Sequence, residues 1–160
     1  MRTMYPIIDV QLDDGAIMPE RAHDTDAGAD IFTPRDFWVS PSIAHSDGTV
    51  DIGCVIIRTG VHVELPENSV GMLKSKSGLN VKHGIISEGV IDQGYGGEIV
   101  VKLYNLTESE VTFPRGSKIT QLCVMPVMYP SFRQVDKIGA GERGNDGFGS
   151  TGSISGGVRL

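Results

Sequence analysis

The chain has 160 residues, 39% of them hydrophobic, which is enough for one domain with a real core. Its formal charge of −6 argues against nucleic acid or an anionic membrane as the main partner, while still allowing a small anionic substrate wherever a few lysines cluster. Twenty-one glycines and eight prolines, with few long helical patterns, point to an all-β class.

Residues 5–12, YPIIDVQL, alternate around an apolar centre and end at Asp13-Asp14-Gly15, a strand followed by a turn. A polar loop, RAHDTDAGADIFTP, then narrows to Asp26-Ala27-Gly28-Ala29-Asp30 before Ile31-Phe32. Two aspartates four apart with small residues between them suit either metal ligation or the capping of a turn. The four histidines, His23, His45, His62 and His83, have no partner at a ligand spacing and read as surface or packing residues. No basic segment followed by an apolar one occupies residues 1–25, so the expected location is the cytoplasm.

The turn-rich segment around Ser42 to Asp51 reads as a surface excursion between strands. Strand segments follow at 54–58, 61–65 and 70–76, separated by turns at Thr59-Gly60 and Pro66-Glu67-Asn68. Cys54 and Cys123 lie far apart with no C-x-x-C, and are expected to be core thiols. In Lys74-Ser75-Lys76-Ser77-Gly78-Leu79 the chain becomes basic, with hydroxyls interleaved. Ser77 suits the N-cap of a short helix through Lys82, whose free N–H groups would favour an anion. A solvated strand end with a capped turn fits the same residues.

Residues 84–105, GIISEGVIDQGYGGEIVVKLYN, read as strand, turn, strand. At the turn, Asp92 and Tyr95 flank a glycine where a sharply bent backbone would bring a carboxylate and an aromatic hydroxyl beside a small flat ligand; a polar hairpin turn fits the same residues. Asn105-Leu106-Thr107 matches a glycosylation sequon, without meaning in a chain that is not secreted. A short strand is expected at 111–113 and a core strand at 119–128, with Pro126 near an edge. Gln121 inside that run faces either solvent or a ligand. A last strand is expected at 132–137.

From Gly139 the composition changes, with eight glycines in the final 22 residues. The expected organisation is a β domain over 1–138 and a flexible Gly-rich arm over 139–160. Its G-x-G-x-x-G match at 139–144 has no surrounding βαβ unit, and 144–151 has P-loop spacing but Ser150 in place of the lysine, so neither marks a phosphate fold. What remains is an arm carrying Arg143, Phe148 and Ser150-Thr151, suited to close over a phosphate and a flat base.

Five segments together resemble the trimeric dUTP pyrophosphatases: DAGADIF, VGMLKSKSGL, EGVIDQGYGGEI, GSKITQL and RGNDGFGSTG, in the family's order over nearly the whole chain. The resemblance implies a jelly-roll-like all-β protomer with one short helix, a homotrimer with shared active sites, and Mg²⁺-dependent hydrolysis of dUTP to dUMP and pyrophosphate. This would keep uracil out of DNA and supply dUMP for thymidylate synthesis. It further implies that Asp92 deprotonates the water attacking the α-phosphorus, that Tyr95 packs beneath the deoxyribose, and that the backbone of Gly89, Val90 and Ile91 reads uracil. Lys76, Ser77, Gly78 and Gln121 would contact the phosphates, Asp30 would reach the metal through water, and Arg143, Phe148, Gly149 and Ser150 would close the site.

Three departures from the family pattern stand out. Ala29 occupies a position where an aromatic is common, Lys76 replaces an arginine and so trades a planar fork for a point charge, and the excursion from Ser42 to Asp51 is long enough to be a surface for a protein partner. The related dCTP deaminases share the hairpin, but their catalytic glutamate falls at Lys102 here. A regulatory nucleotide binder is the reading from another class.

Overall fold

In the segment SVGMLK, every second residue is buried, the period-two pattern of a strand with one face on a core. The computed structural model, which describes residues 6–139, repeats this pattern through an antiparallel β architecture. In chain order the elements are β1 (Asp9–Leu12), β2 (Gly28–Phe32), β3 (Phe37–Val39), β4 (Ile43–Ala44), β5 (Val50–Asp51), β6 (Gly53–Arg58), β7 (Val61–Glu64), β8 (Ser69–Lys74), α1 (Ser77–His83), β9 (Ile85–Ile91), β10 (Val100–Asn105), β11 (Val111–Phe113) and β12 (Lys118–Pro126). Six of them form one sheet in the order β2-β12-β8-β9-β10-β6, and β1-β7, β3-β11 and β4-β5 form two-stranded ribbons. The curled sheets and single short helix make a jelly-roll-like all-β fold, as expected from the sequence.

The core is aliphatic: Ile31, Ile57, Val61, Leu73, Ile99 and Leu103 are each at most 2% exposed. Phe37 of β3 and Phe113 of β11 stack with ring centroids 4.7 Å apart. Asn105 is fully buried. Its amide donates to the carbonyls of Ser40 and Ser109 at 3.1 and 2.7 Å and accepts from the Thr107 N–H and hydroxyl at 3.0 and 2.8 Å. The asparagine of the sequon is therefore a structural bolt between β3 and the turn after β10, and has no exposed nitrogen to modify.

Several expectations are corrected. Ser77 is the first residue of α1, and Lys76 holds the N-cap position with no side-chain capping bond. The helix ends at His83, where Gly84 takes a left-handed conformation with φ 61° and closes the last turn. Cys54 is exposed, because β6 is an edge strand and the face carrying Cys54, Ile56 and Arg58 turns outward, and Cys123 is only partly buried. No strand forms over 132–137: Arg133, Asp136 and Lys137 leave too little apolar alternation to hold a ladder without a paired edge. The strands all lie in a compact unit that ends at Tyr129, with Pro130 opening a second.

Candidate functional site

The β9–β10 hairpin is paired over only three positions, Ile85↔Asn105, Ile86↔Tyr104 and Ser87↔Leu103. Beyond them, Glu88–Ile91 pair with β8 and Val100–Lys102 pair with β6. Each strand is drawn to a different neighbour, so the two diverge towards the turn. Backbone groups of alternate residues point to either side of a strand, so the segment containing Gly89, Val90 and Ile91 offers N–H and C=O groups to the gap with no ladder partner there.

At the mouth of that gap the Tyr95 N–H donates to the Asp92 carbonyl at 3.1 Å, and Gly94 has φ 83°. Positive φ at the third residue alone marks a type II turn, which requires glycine there. Asp92 is exposed, and its carboxylate makes no hydrogen bond among the described residues. The Tyr95 ring folds back over Gly97, where any Cβ would collide with it, and its hydroxyl donates to the Glu98 carbonyl at 3.1 Å. Contacts of Gln93 that the sequence reading did not anticipate fix the base of the turn. The Gln93 amide oxygen accepts from the Asn68 N–H at 2.8 Å and from the Tyr129 hydroxyl at 3.1 Å.

A second cluster lies at the other end of β8. The Lys76 ammonium and the Lys118 ammonium both bond the Asp30 carboxylate, the latter at 2.8 Å. Asp30 is 4% exposed. Burial alone would push its carboxyl up, but the bonds from Lys118 and Lys76 outweigh it and hold the group below its ordinary value of 3.8, while the bond to Asp30 raises Lys118. Gln121 donates to the Ser75 carbonyl at 3.1 Å, which turns its amide oxygen towards Gly28. Ser77 and Gly78 are exposed, with open space above Gly78, and as first-turn residues of α1 their N–H groups have no acceptor within the helix. Lys118 is the member of this cluster that the sequence reading missed, since nothing local ties it to Asp30, 88 positions away.

The expected metal role of Asp30 meets this geometry directly. Each carboxylate oxygen is taken by a lysine, and no group of three or more His, Cys, Asp or Glu able to hold a metal exists among the described residues. Asp26 does not join Asp30; its carboxylate accepts the His23 N–H at 3.0 Å and closes a turn. Ala29, in the position where an aromatic is common, lines a groove of about 700 Å³ with Val63, Leu122 and Val124. Lys102 lies 4.8 Å over the Tyr104 ring, a cation on a π face with no capacity to act as a carboxylate. Arg143, Phe148, Gly149 and Ser150 lie outside the described residues.

The two clusters are separated along β8. Asp92 follows Ile91, which pairs with Gly71, whereas Ser75 bonds Ser87 and Lys76 lies one residue further. Asp92 continues the register opposite Val70, so Lys76 lies six residue steps of extended strand away, about 20 Å.

A family model described as dUTPase matches residues 14–152. The deoxyuridine 5'-triphosphate nucleotidohydrolase of Clostridium tetani is 35% identical over 153 residues, covering 94% of this chain and 99% of its own. That of Corynebacterium jeikeium is 37% identical over 155 residues, covering 92% and 93%. Among solved structures, the dUTPase of Staphylococcus bacteriophage 80alpha with dUPNHPP superposes with a TM-score of 0.80 at 29% identity, covering 93% of this chain and all of that one. A mutant dUTPase of phage phi11 of S. aureus, described with a structural Mg(II) ion, has a TM-score of 0.68 at 28% identity and covers 82% and 98%.

Proposed function

The chain belongs to the dUTPase family and hydrolyses dUTP to dUMP, and we propose that it does so in sites shared between three copies of itself. The observation that supports sharing is the roughly 20 Å between Asp92 and the Lys76-Ser77-Gly78 corner. An attacking water held by Asp92 must lie within hydrogen-bond reach of it and beside the α-phosphorus, while Ser77 and Gly78 hold the same triphosphate. One protomer does not bring its own two clusters to one phosphate chain. A second copy supplies the missing end, and closed threefold symmetry repeats the arrangement.

In this site Asp92 takes a proton from water as the water oxygen bonds to the α-phosphorus. The bond from that phosphorus to the bridging oxygen breaks, and pyrophosphate departs. Lys76, Ser77, Gly78 and the Gln121 amide bear on the phosphates, with Asp30 orienting Lys76. The substrate enters as its magnesium complex. Mg²⁺ would supply charge neutralisation to the phosphates, and Asp30, with each oxygen bonded to a lysine, would hold it through water. Tyr95 lies beneath the deoxyribose and leaves no room for a 2′-hydroxyl. The unpaired edge of Gly89, Val90 and Ile91 presents alternating N–H and C=O groups to uracil, whose edge runs acceptor, donor, acceptor; cytosine presents the wrong order. Arg143, Phe148, Gly149 and Ser150 close over the bound nucleotide. The protein acts in the cytoplasm, consistent with the absence, among the described residues, of a helix long and apolar enough to cross a membrane.

Incubation with dUTP, dCTP, dTTP and UTP in the presence of Mg²⁺, followed by assays for pyrophosphate and ammonia, tests the specificity. Pyrophosphate from dUTP alone is expected; ammonia from dCTP or comparable turnover of UTP contradicts it. A second reading adds a docking role to the β4–β5 hairpin within Ser42 to Asp51, where Ile43 and Val50 are more than half exposed. Excising this hairpin is then expected to spare turnover and abolish partner capture.

A further inference from the structure

His62 of β7 lies between two oxygen acceptors. Its Nδ1 is 3.0 Å from the Gly96 carbonyl and its Nε2 is 3.3 Å from the Asp13 carboxylate. Neither acceptor has a proton to give, so the ring satisfies both only with both nitrogens protonated. Gly96 is the residue after Tyr95, and Asp13 follows β1, so the imidazolium ties the Tyr95 loop to another part of the fold.

The neighbouring charges favour this form. Asp13 and Glu98 bear on the ring, and Asp9 and Glu64 lie further along the same face of the β1–β7 ribbon. Arg58 is paired with Glu98 at 2.6 Å. The hydrogen bond to Gly96, then that to Asp13, raises the His62 pKa above its ordinary 6.5. Glu98 anchors the other end of the loop by accepting the Gly60 N–H at 2.7 Å.

We propose that His62 is a positioning residue for the Tyr95 loop: its doubly protonated ring holds Gly96 to Asp13, and loss of one proton loosens the platform beneath the deoxyribose. A neutral imidazole has one N–H, so it keeps one bond and turns a lone pair towards the other oxygen. A raised pKa means that the tether is complete below the ordinary histidine range and is lost as pH rises through the higher folded value. The proposal rests on the reading of Tyr95 as the sugar platform.

The test is steady-state hydrolysis of magnesium dUTP by the full-length protein between pH 5.5 and 9. KM is expected to rise about fivefold across the His62 titration, the worth of one ordinary hydrogen bond, while kcat does not share that midpoint. His62→Gln keeps one donor to Gly96 and should flatten the rise. Asp13→Asn should move the midpoint to lower pH, and the His62 ring resonance, followed by NMR, should move with it. Titration of the nucleotide's own phosphate is common to all variants and cancels in the comparison. A KM profile that is the same in parent, His62→Gln and Asp13→Asn overturns the proposal. Tyr95→Ala distinguishes the two levels: if it fails to relax discrimination against UTP, the platform reading itself is wrong, whereas relaxed discrimination with unchanged KM profiles refutes only the role of His62.

Discussion

Asp92 differs from the chain's paired carboxylates by what it lacks. Asp30, Asp13, Asp26 and Glu98 each have a partner, whereas Asp92 projects from a type II turn with no hydrogen bond to its side chain among the described residues. A base must be free to accept a proton, so Asp92→Asn should preserve folding and nucleotide binding and lower kcat by about 10²–10⁴-fold; activity within a few-fold of the parent would reduce Asp92 to a turn residue. Asp30 has the opposite character, a buried anion between two lysines. Asp30→Asn should destabilise by about 1–3 kcal/mol, less than a wholly buried pair, because both lysines keep contact with water. Its depressed carboxyl adds stability that is present above the ordinary 3.8 and lost as pH falls through the lower folded value. Urea unfolding of parent and variant should therefore converge below about pH 4; a constant gap down to the most acid pH would rule out the ion pairs as its cause. Asp92 and Tyr95 were readable from sequence because a carboxylate, a glycine and an aromatic within four residues are a local pattern. The Asp30–Lys118 bond was not, since its partners meet only when β12 lies beside β2.

Strand-sized pieces follow the same division. The alternation in SVGMLK and the turn signals at Thr59-Gly60 and Asp92-Gln93-Gly94 locate β8, the β6–β7 corner and the β9–β10 turn, because period and turn chemistry are local. The splaying of β9 from β10 is a competition between pairings that only the assembled sheet decides, and it is what frees the backbone of Gly89, Val90 and Ile91. The ion-pair corner and the sequon asparagine likewise depend on contacts between distant strands. One such contact can be tested at Gly53, the first residue of β6. Its N–H donates to the Ser42 hydroxyl at 3.1 Å, and a Cβ there would run into the Ser40 carbonyl. Gly53→Ala must displace backbone, so a loss of about 1–3 kcal/mol is expected in thermal or urea unfolding. Since β6 borders β10 and not the Asp92 turn, the variant's kcat at low temperature should stay near that of the parent. An unchanged melting temperature would mean that the β3–β4 connection yields freely.

At the scale of the whole molecule, the two ends of β8 decide how sites are built. If Asp92 and the Ser77 corner serve one phosphate chain, they come from different copies, and the consequence is arithmetic. Take one protomer with Asp92→Asn and another with Ser77→Asp, whose added anion repels the triphosphate. Neither should be active alone. Co-expressed in equal amounts and assembled at random, they give each site an even chance of an intact base and an independent even chance of an intact phosphate corner. About a quarter of sites should then work, half times half, by the closed symmetry of the assembly. Titration with a tight dUTP analogue counts those sites, and turnover per functional site should equal that of the parent. If each protomer builds its own site, every chain in the mixture carries one fatal change and no activity returns. Activity near a quarter thus places Asp92 opposite another copy's Ser77, while a dead mixture, with mixed assembly verified by tags on both chains, requires that the roughly 20 Å along β8 be spanned within one chain.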